Sequence, residues 1–225
     1  GTESGRDMRT ANSLRNATIG MAVQALIIIA GFLSQAVLVR TLGDIYNGVN
    51  GVCNNILSVL KLAELGVGTA MVYSLYKPFA YDDREQIKSI MALYKKAYRI
   101  IALVVLASGI LILPFLKFFF HDVPESINIY LIFLLFLAET CLSYTFSYKR
   151  SMLYADQKEF LIKLVHILYV FGANAGQIII LLTTRNYILV LILKIFFKVL
   201  DNLIICAIVN RRYPYIKEKQ VQPLD

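Results

Sequence analysis

Long apolar segments alternate with short charged ones along most of the chain. Six near-continuous apolar runs stand out, over about residues 16–42, 49–76, 98–119, 126–148, 160–183 and 187–209. Each is close to or above the roughly 20 residues an α-helix needs to cross a hydrocarbon core about 30 Å thick. The runs lack the two-residue alternation of outer-membrane strands, and a helix satisfies its own backbone in lipid. The pattern therefore predicts an all-α, polytopic membrane bundle of six transmembrane helices. The first run is too long for a signal-peptide core and reads as a retained span. Pro114 predicts a bend or an end in the third helix.

The polar residues inside these runs are the next signal. An ionised side chain at a helix centre costs about 2.5–3.5 kcal/mol on the insertion scale unless it is paired or wet. Lys61, Glu64, Glu139, Lys194, Lys198 and Asp201 all lie within runs, with His166 as a further titratable group. Their spacing is helical. Asn47, Asn50, Asn54, Ser58 and Lys61 step by three or four along one face of the second run, with Glu64 at its edge. Lys194, Lys198 and Asp201 share a face of the sixth. Glu139, Ser143 and Ser147 line up with Arg150 in the fourth, and His166 and Gln177 share a face of the fifth, with Asn174 at its edge. Such stripes predict groups facing a bundle interior or a cavity. Lys61 with Glu64, and Lys198 with Asp201, are also within helix-neighbour reach, so each pair reads either as a structural bridge or as ligand contacts. Lys194 and Glu139 have no such partner in their own helix.

Composition agrees with the patterning. Of 225 residues 58% are hydrophobic and 17% charged, against about 45–50% apolar in soluble domains. The net charge of +8 sits at the flanks of the runs rather than in one patch, which argues against a nucleic-acid partner. Cys53, Cys141 and Cys206 lie inside runs without metal-site spacing and read as small hydrophobes. Lysines and arginines concentrate in the N-terminal segment, the second–third and fourth–fifth connections and the C-terminal segment. Arg40, Lys117 and Arg185 lie on the other side. By the positive-inside rule both termini are cytoplasmic. The expected organisation is a tail over 1–15, a six-helix lobe over 16–209 and a cytoplasmic tail over 210–225. Residues 1–7, polar and ahead of Met8, read as a tag remnant or a misplaced start. Within the second–third connection, Asp82 and Asp83 precede Glu85 and Gln86 by three residues, a capping pattern. Ile87, Ile90, Met91 and Tyr94 then recur at helical spacing. This predicts an amphipathic helix near 83–97 on the inner leaflet, or an early start to the third span. The GxxxG of Gly172 and Gly176 and the patch Gly66, Gly68 and Ala70 predict close helix contacts. No phosphate-binding loop is present, and the short outer connections leave no room for a large catalytic loop, so the chain does not read as an enzyme.

Residues 42–101 carry a resemblance in YNGVNG, AELGVGTA and SLYKP followed by an acidic pair, and NRRYPYIKE follows the sixth run. The chain resembles, from about Arg9 to Glu218, the N-terminal half of Wzx-type flippases, polysaccharide-unit exporters of the multidrug/oligosaccharidyl-lipid/polysaccharide superfamily. That resemblance implies a bacterial cytoplasmic-membrane protein that flips an undecaprenyl-pyrophosphate-linked oligosaccharide to the outer leaflet by alternating access between two lobes. It implies candidate substrate contacts at Lys61, Lys194, Lys198, Asn50 and Asn54, and coupling or structural carboxylates at Glu64, Glu139 and Asp201. It implies no cofactor, a coupling ion of unspecified identity (Na+ or H+), membrane lipid around the lobe, and polysaccharide polymerase and glycosyltransferases as associates. The family has a second lobe, and this sequence stops where the inter-lobe linker would begin, so a fragment or a half-size dimer is expected. The alternatives are an ion-coupled small-molecule or drug exporter of the same superfamily and a non-transporting membrane remnant.

Overall fold

A computed structural model describes residues 2–64, 66–120 and 123–217, with side chains placed for 18, 20–62, 64, 66–120 and 123–217. The described residues are helical, with no strand among them. Helix α1 spans Thr2–Leu42, α2 Asp44–Leu60, α3 Val67–Ala80 and α4 Arg84–Ile112. After a 3-10 turn at Leu113–Phe115 come α5 (Leu116–Phe119), α6 (Ile129–Ala155), α7 (Glu159–Thr184) and α8 (Tyr187–Arg212), and a last 3-10 turn covers Pro214–Lys217. Residues 2–15, expected as a tail, continue the first helix, and 218–225 lie outside the described residues.

Short polar side chains start three of the helices, α4, α6 and α8. Asp83 accepts a hydrogen bond from the Gln86 amide at 3.0 Å at the head of α4. Asn128 does the same for Leu131 at 3.0 Å at the head of α6, and Asn186 accepts from Ile188 at 2.9 Å at the head of α8. Each satisfies an amide that the first turn leaves without an intrahelical acceptor. Pro114 ends α4 by forcing the tighter turn that follows Ile112. The segment near 83–97 is the first part of α4 and runs on without a break to Ile112. Its apolar face, Ile87, Ile90 and Met91, is buried against protein.

Helix α6 is the centre of the bundle and packs on α2, α3, α4, α7 and α8, while α1 lies against α2 and α7. Phe133 and Leu137 near the start of α6, and Met152 and Leu153 near its end, are fully buried. Glycines set the closest approaches. A methyl on Gly172 would lie 2.5 Å from the Phe197 ring, and one on Gly176 2.5 Å from a Leu193 methyl, so the GxxxG forms the α7–α8 contact. Gly109 gives α4 the same closeness to Leu137 of α6.

Four helical segments are long and apolar enough to cross a membrane: Gly20–Leu42, Arg84–Phe119, Ile129–Ala155 and Glu159–Thr184. The chain is a multi-pass membrane protein. The count of six expected above is thus met in four elements, and the other two fall short for physical reasons. The second run divides into α2 and α3, of 17 and 14 residues. Helix α8 has the length, at 26 residues, but Lys194, Lys198 and Asp201 occupy its middle.

One end of the bundle is held by the segment after α8. Tyr213 donates to the Asp156 carboxylate at 2.5 Å, and Arg212 approaches the same carboxylate at 3.8 Å. Tyr213 packs edge-on to Phe79 with centroids 5.7 Å apart, and Arg84 lies over the Tyr215 ring at 5.3 Å. The SLYKP and RRYPY segments, far apart in sequence, therefore meet here. At the opposite end Tyr46 packs edge-on to Tyr187 at 5.2 Å.

Candidate functional site

The break in the second run is the local feature around which the site is built. Lys61–Glu64 form a 3-10 turn, and Gly66 follows in the left-handed region at φ 85. That φ is easily reached only by glycine. The space where a side-chain methyl on Gly66 would sit is open, so this glycine's role is conformational and not the close packing expected of Gly66, Gly68 and Ala70. Of that patch Gly68 alone is tight, 3.0 Å from the Tyr98 hydroxyl, and Ala70 is exposed. The first amides of α3 receive no side-chain cap, which leaves the partial positive end of the half-helix beside Lys61 and Glu64.

Three adjoining cavities run through this break. A polar pocket of about 130 Å³ is lined by Asn54, Lys61, Glu139, Thr140, Ser143 and Lys198. Lys61 is shared with a second cavity of about 260 Å³ that reaches Glu64, Gly68 and Thr69. Those three residues also border a groove of about 460 Å³. Tyr76, Tyr98 and Tyr154 supply aromatic walls to the groove, and Ser147, Ser151 and Arg150 line its α6 side.

Five of the residues singled out from sequence thus share one pocket: Asn54, Lys61, Glu139, Ser143 and Lys198. Asn50 lies one turn from Asn54 and accepts from its amide through the backbone carbonyl at 2.9 Å and the side-chain oxygen at 3.0 Å. Lys194 is not among the pocket-lining residues. Glu139 is its acidic neighbour, while Lys198 has Asp201 and, more weakly, Glu139 nearby.

Neither of the two intrahelical bridges that spacing allows is formed, so the bridge reading of each pair is not the one seen here. Asp201 is buried and takes Arg150 of α6 as its partner, and Arg150 also donates to Asn202 at 3.1 Å. The long Arg150 side chain spans the gap from α6 to α8, where its Nη2 makes both bonds. Lys198 instead lies over the Tyr169 ring at 5.3 Å, an arrangement the negative ring face favours. Lys61 and Glu64 border one cavity without forming an ion pair. Lys61 lines the polar pocket, and Glu64 faces the hydroxyls of Tyr98 and Tyr144. Tyr144 is buried with its hydroxyl lacking a partner at hydrogen-bond geometry.

Other polar positions hold helices together. Ser34 donates to Asn174 at 2.5 Å, and Gln177 donates to the Ser34 carbonyl at 3.2 Å, which joins α1 to α7. Gln35 donates to Asn47 and ties α1 to α2. His166 is exposed and stacks on Tyr169 at 5.9 Å. The residues that sequence spacing did not single out as site groups are Arg150, Thr69, Tyr98 and Tyr144. Arg150 lies one turn beyond Ser147 on the polar face of α6, which was its only signal. The tyrosines carry none apart from their fold neighbours. No protein-family model, curated protein or solved structure matches the chain.

Proposed function

We propose that the chain is one lobe of a transporter that carries a polyprenyl-pyrophosphate-linked oligosaccharide from the inner to the outer leaflet of the bacterial cytoplasmic membrane. In this reading all six helical passes cross the bilayer, the second interrupted, and both termini lie in the cytoplasm. The protein does no bond chemistry and works beside glycosyltransferases and a polysaccharide polymerase, with a second lobe or a second copy closing the cavity.

The observation that carries the reading is the interruption at Lys61–Gly66. It opens on a pocket holding Lys61 and Lys198 with one carboxylate, Glu139. Discontinuous helices that line polar cavities are a recurrent transporter device, because backbone groups freed at the break are tolerated in a membrane only where they meet a cavity or protein. Two cations against one carboxylate, beside an uncapped half-helix start, suit a pyrophosphate.

Proteoliposomes loaded with lipid-linked oligosaccharide test this. Lys61→Ala and Lys198→Ala each lower the translocation rate about tenfold or more, as expected for loss of a charge-assisted contact worth roughly 1.5–3 kcal/mol. Wild-type rates in both variants would remove the assignment. A second reading, ion-coupled export of a small molecule, is favoured by Glu64 beside two tyrosine hydroxyls. It requires Glu64→Gln or Glu139→Gln to abolish Na+- or H+-driven efflux while oligosaccharide transfer is absent in the wild type.

A further inference from the structure

The cavities on the two sides of Lys61 differ in chemistry. The small pocket is charged. The groove beyond Glu64 is walled by Tyr76, Tyr98 and Tyr154 and edged by the hydroxyls of Thr69, Ser147 and Ser151. Thr69 and Ser151 leave their hydroxyls without a hydrogen bond among the described residues. Arg150 lines the groove, but its charge is cancelled by Asp201. Among the described residues of the groove wall, Glu64 is then the one uncompensated charge, and it is negative. Such a lining repels a phosphate. It suits a neutral polyhydroxylated ring, whose C–H faces stack on tyrosine and whose hydroxyls donate to a carboxylate. A groove of about 460 Å³ falls within the usual range of small-molecule sites, about 300–1,000 Å³. Tyr76 and Tyr154 are 47% and 40% exposed, so their rings are available at its mouth.

We infer that the tyrosine groove is a binding site for neutral sugar rings, separate from the cationic pocket and joined to it through the cavity that Lys61 and Glu64 both border. This rests on the transport reading above and divides the cargo between two chemistries. An organic cation is the rival occupant, since tyrosine faces and a carboxylate also attract ammonium groups. The hydroxyls of Thr69, Ser147 and Ser151 favour the sugar, because a quaternary ammonium offers them no hydrogen bond.

Saturation-transfer NMR on the purified full chain in nanodiscs tests the inference. The probes are neutral oligosaccharides of two to four hexose or N-acetylhexosamine units, tetramethylammonium and inorganic pyrophosphate. At least one neutral sugar is expected to receive saturation. Tyr76→Ala and Tyr154→Ala are expected to weaken it about tenfold relative to pyrophosphate, and Tyr154→Phe to restore it. Both replaced rings are half-exposed, so their loss opens no core cavity. The inference is overturned if no neutral sugar binds, if both alanine variants bind sugar as the wild type does, or if tetramethylammonium alone binds in the groove. Absence of pyrophosphate binding that depends on Lys61 and Lys198 would instead count against the transport reading, whatever the sugars do.

Discussion

Asp201 shows how far residue spacing reaches. Lys198 and Asp201 stand three apart and do share a helix face, but a shared face does not select a partner. The partner, Arg150, comes from a helix 51 residues away in sequence, and nothing local in the sequence links the two. The pair is held between α6 and α8 with Asp201 2% and Arg150 19% exposed at the side chain. Removing one member leaves the other charge buried, which is expected to cost about 3–5 kcal/mol. Asp201→Ala should therefore lower the midpoint of chemical denaturation in detergent markedly. The double change Arg150→Met with Asp201→Leu should recover most of that loss, because it removes the orphaned charge along with its partner. Lys198→Ala should cost no more than about 1 kcal/mol, the scale of a partly exposed contact with the Tyr169 ring. If Asp201→Ala and Lys198→Ala destabilised the protein equally, the cross-helix pairing described for Asp201 would be wrong.

At the level of elements, the apolar runs, the cap at the head of α4 and a close contact at Gly172 and Gly176 were legible from the sequence, because each follows from periodicity or from a short local motif. The interruption of the second run was not. Gly66 was visible as a small residue, but composition does not separate a glycine needed for packing from one needed for a positive φ. The surroundings decide, and around Gly66 they are empty while around Gly172 and Gly176 they are full. The two kinds should respond differently. Gly66→Ala is expected to cost about 1–2 kcal/mol from the left-handed backbone alone, and Gly66→Asn less, since asparagine tolerates that region better. Gly172→Ala is expected to cost about 1–3 kcal/mol by overpacking, and a smaller side chain at Phe197 should relieve it. Thermal melts of the single variants and of Gly172→Ala with Phe197→Leu check both. The 3-10 segment after α8 offers a pH test of its docking. Burial, with Asp82 and Asp156 adding to it, raises the Tyr215 phenol from 10.0 to about 12, while Arg84 opposes. Burial and the Asp156 hydrogen bond push Tyr213 up as well. A raised folded pKa means stabilisation that is complete below pH 10 and is lost as pH rises through about 12. Phenolate absorbance should show these two tyrosines ionising late, and Tyr215→Phe should remove the corresponding step.

For the whole molecule, the contacts at the two ends fix the direction of each pass. Tyr213 against Asp156 and Arg84 over Tyr215 bring the α3–α4 and α6–α7 connections and the end of α8 together. Tyr46 against Tyr187 places the starts of α2 and α8 at the other end. The chain thus traverses the bundle with α2 and α3 acting as one broken pass and α8 as the last. These are the two passes that fall short of the length or hydropathy of a membrane span, so the topology turns on them. Charge asymmetry favours crossing, since Lys77, Arg84, Arg211 and Arg212 lie at one end and Arg40 and Arg185 at the other. Helix α8 can cross because its charged residues face protein partners, with Asp201 on Arg150 and Lys198 on Tyr169. Cysteine labelling decides the matter in a background lacking Cys53, Cys141 and Cys206. Each of these passes is bracketed by two exposed positions, Asp44 and Tyr81 around α2–α3, and Thr184 and Lys217 around α8. A membrane-impermeant maleimide added to intact cells should label Asp44→Cys and Thr184→Cys. Tyr81→Cys and Lys217→Cys should react only after the membrane is opened. If both members of either bracket reacted from the same side, that pass would not cross, and its polar face would have to lie outside the bilayer together with the pocket it lines.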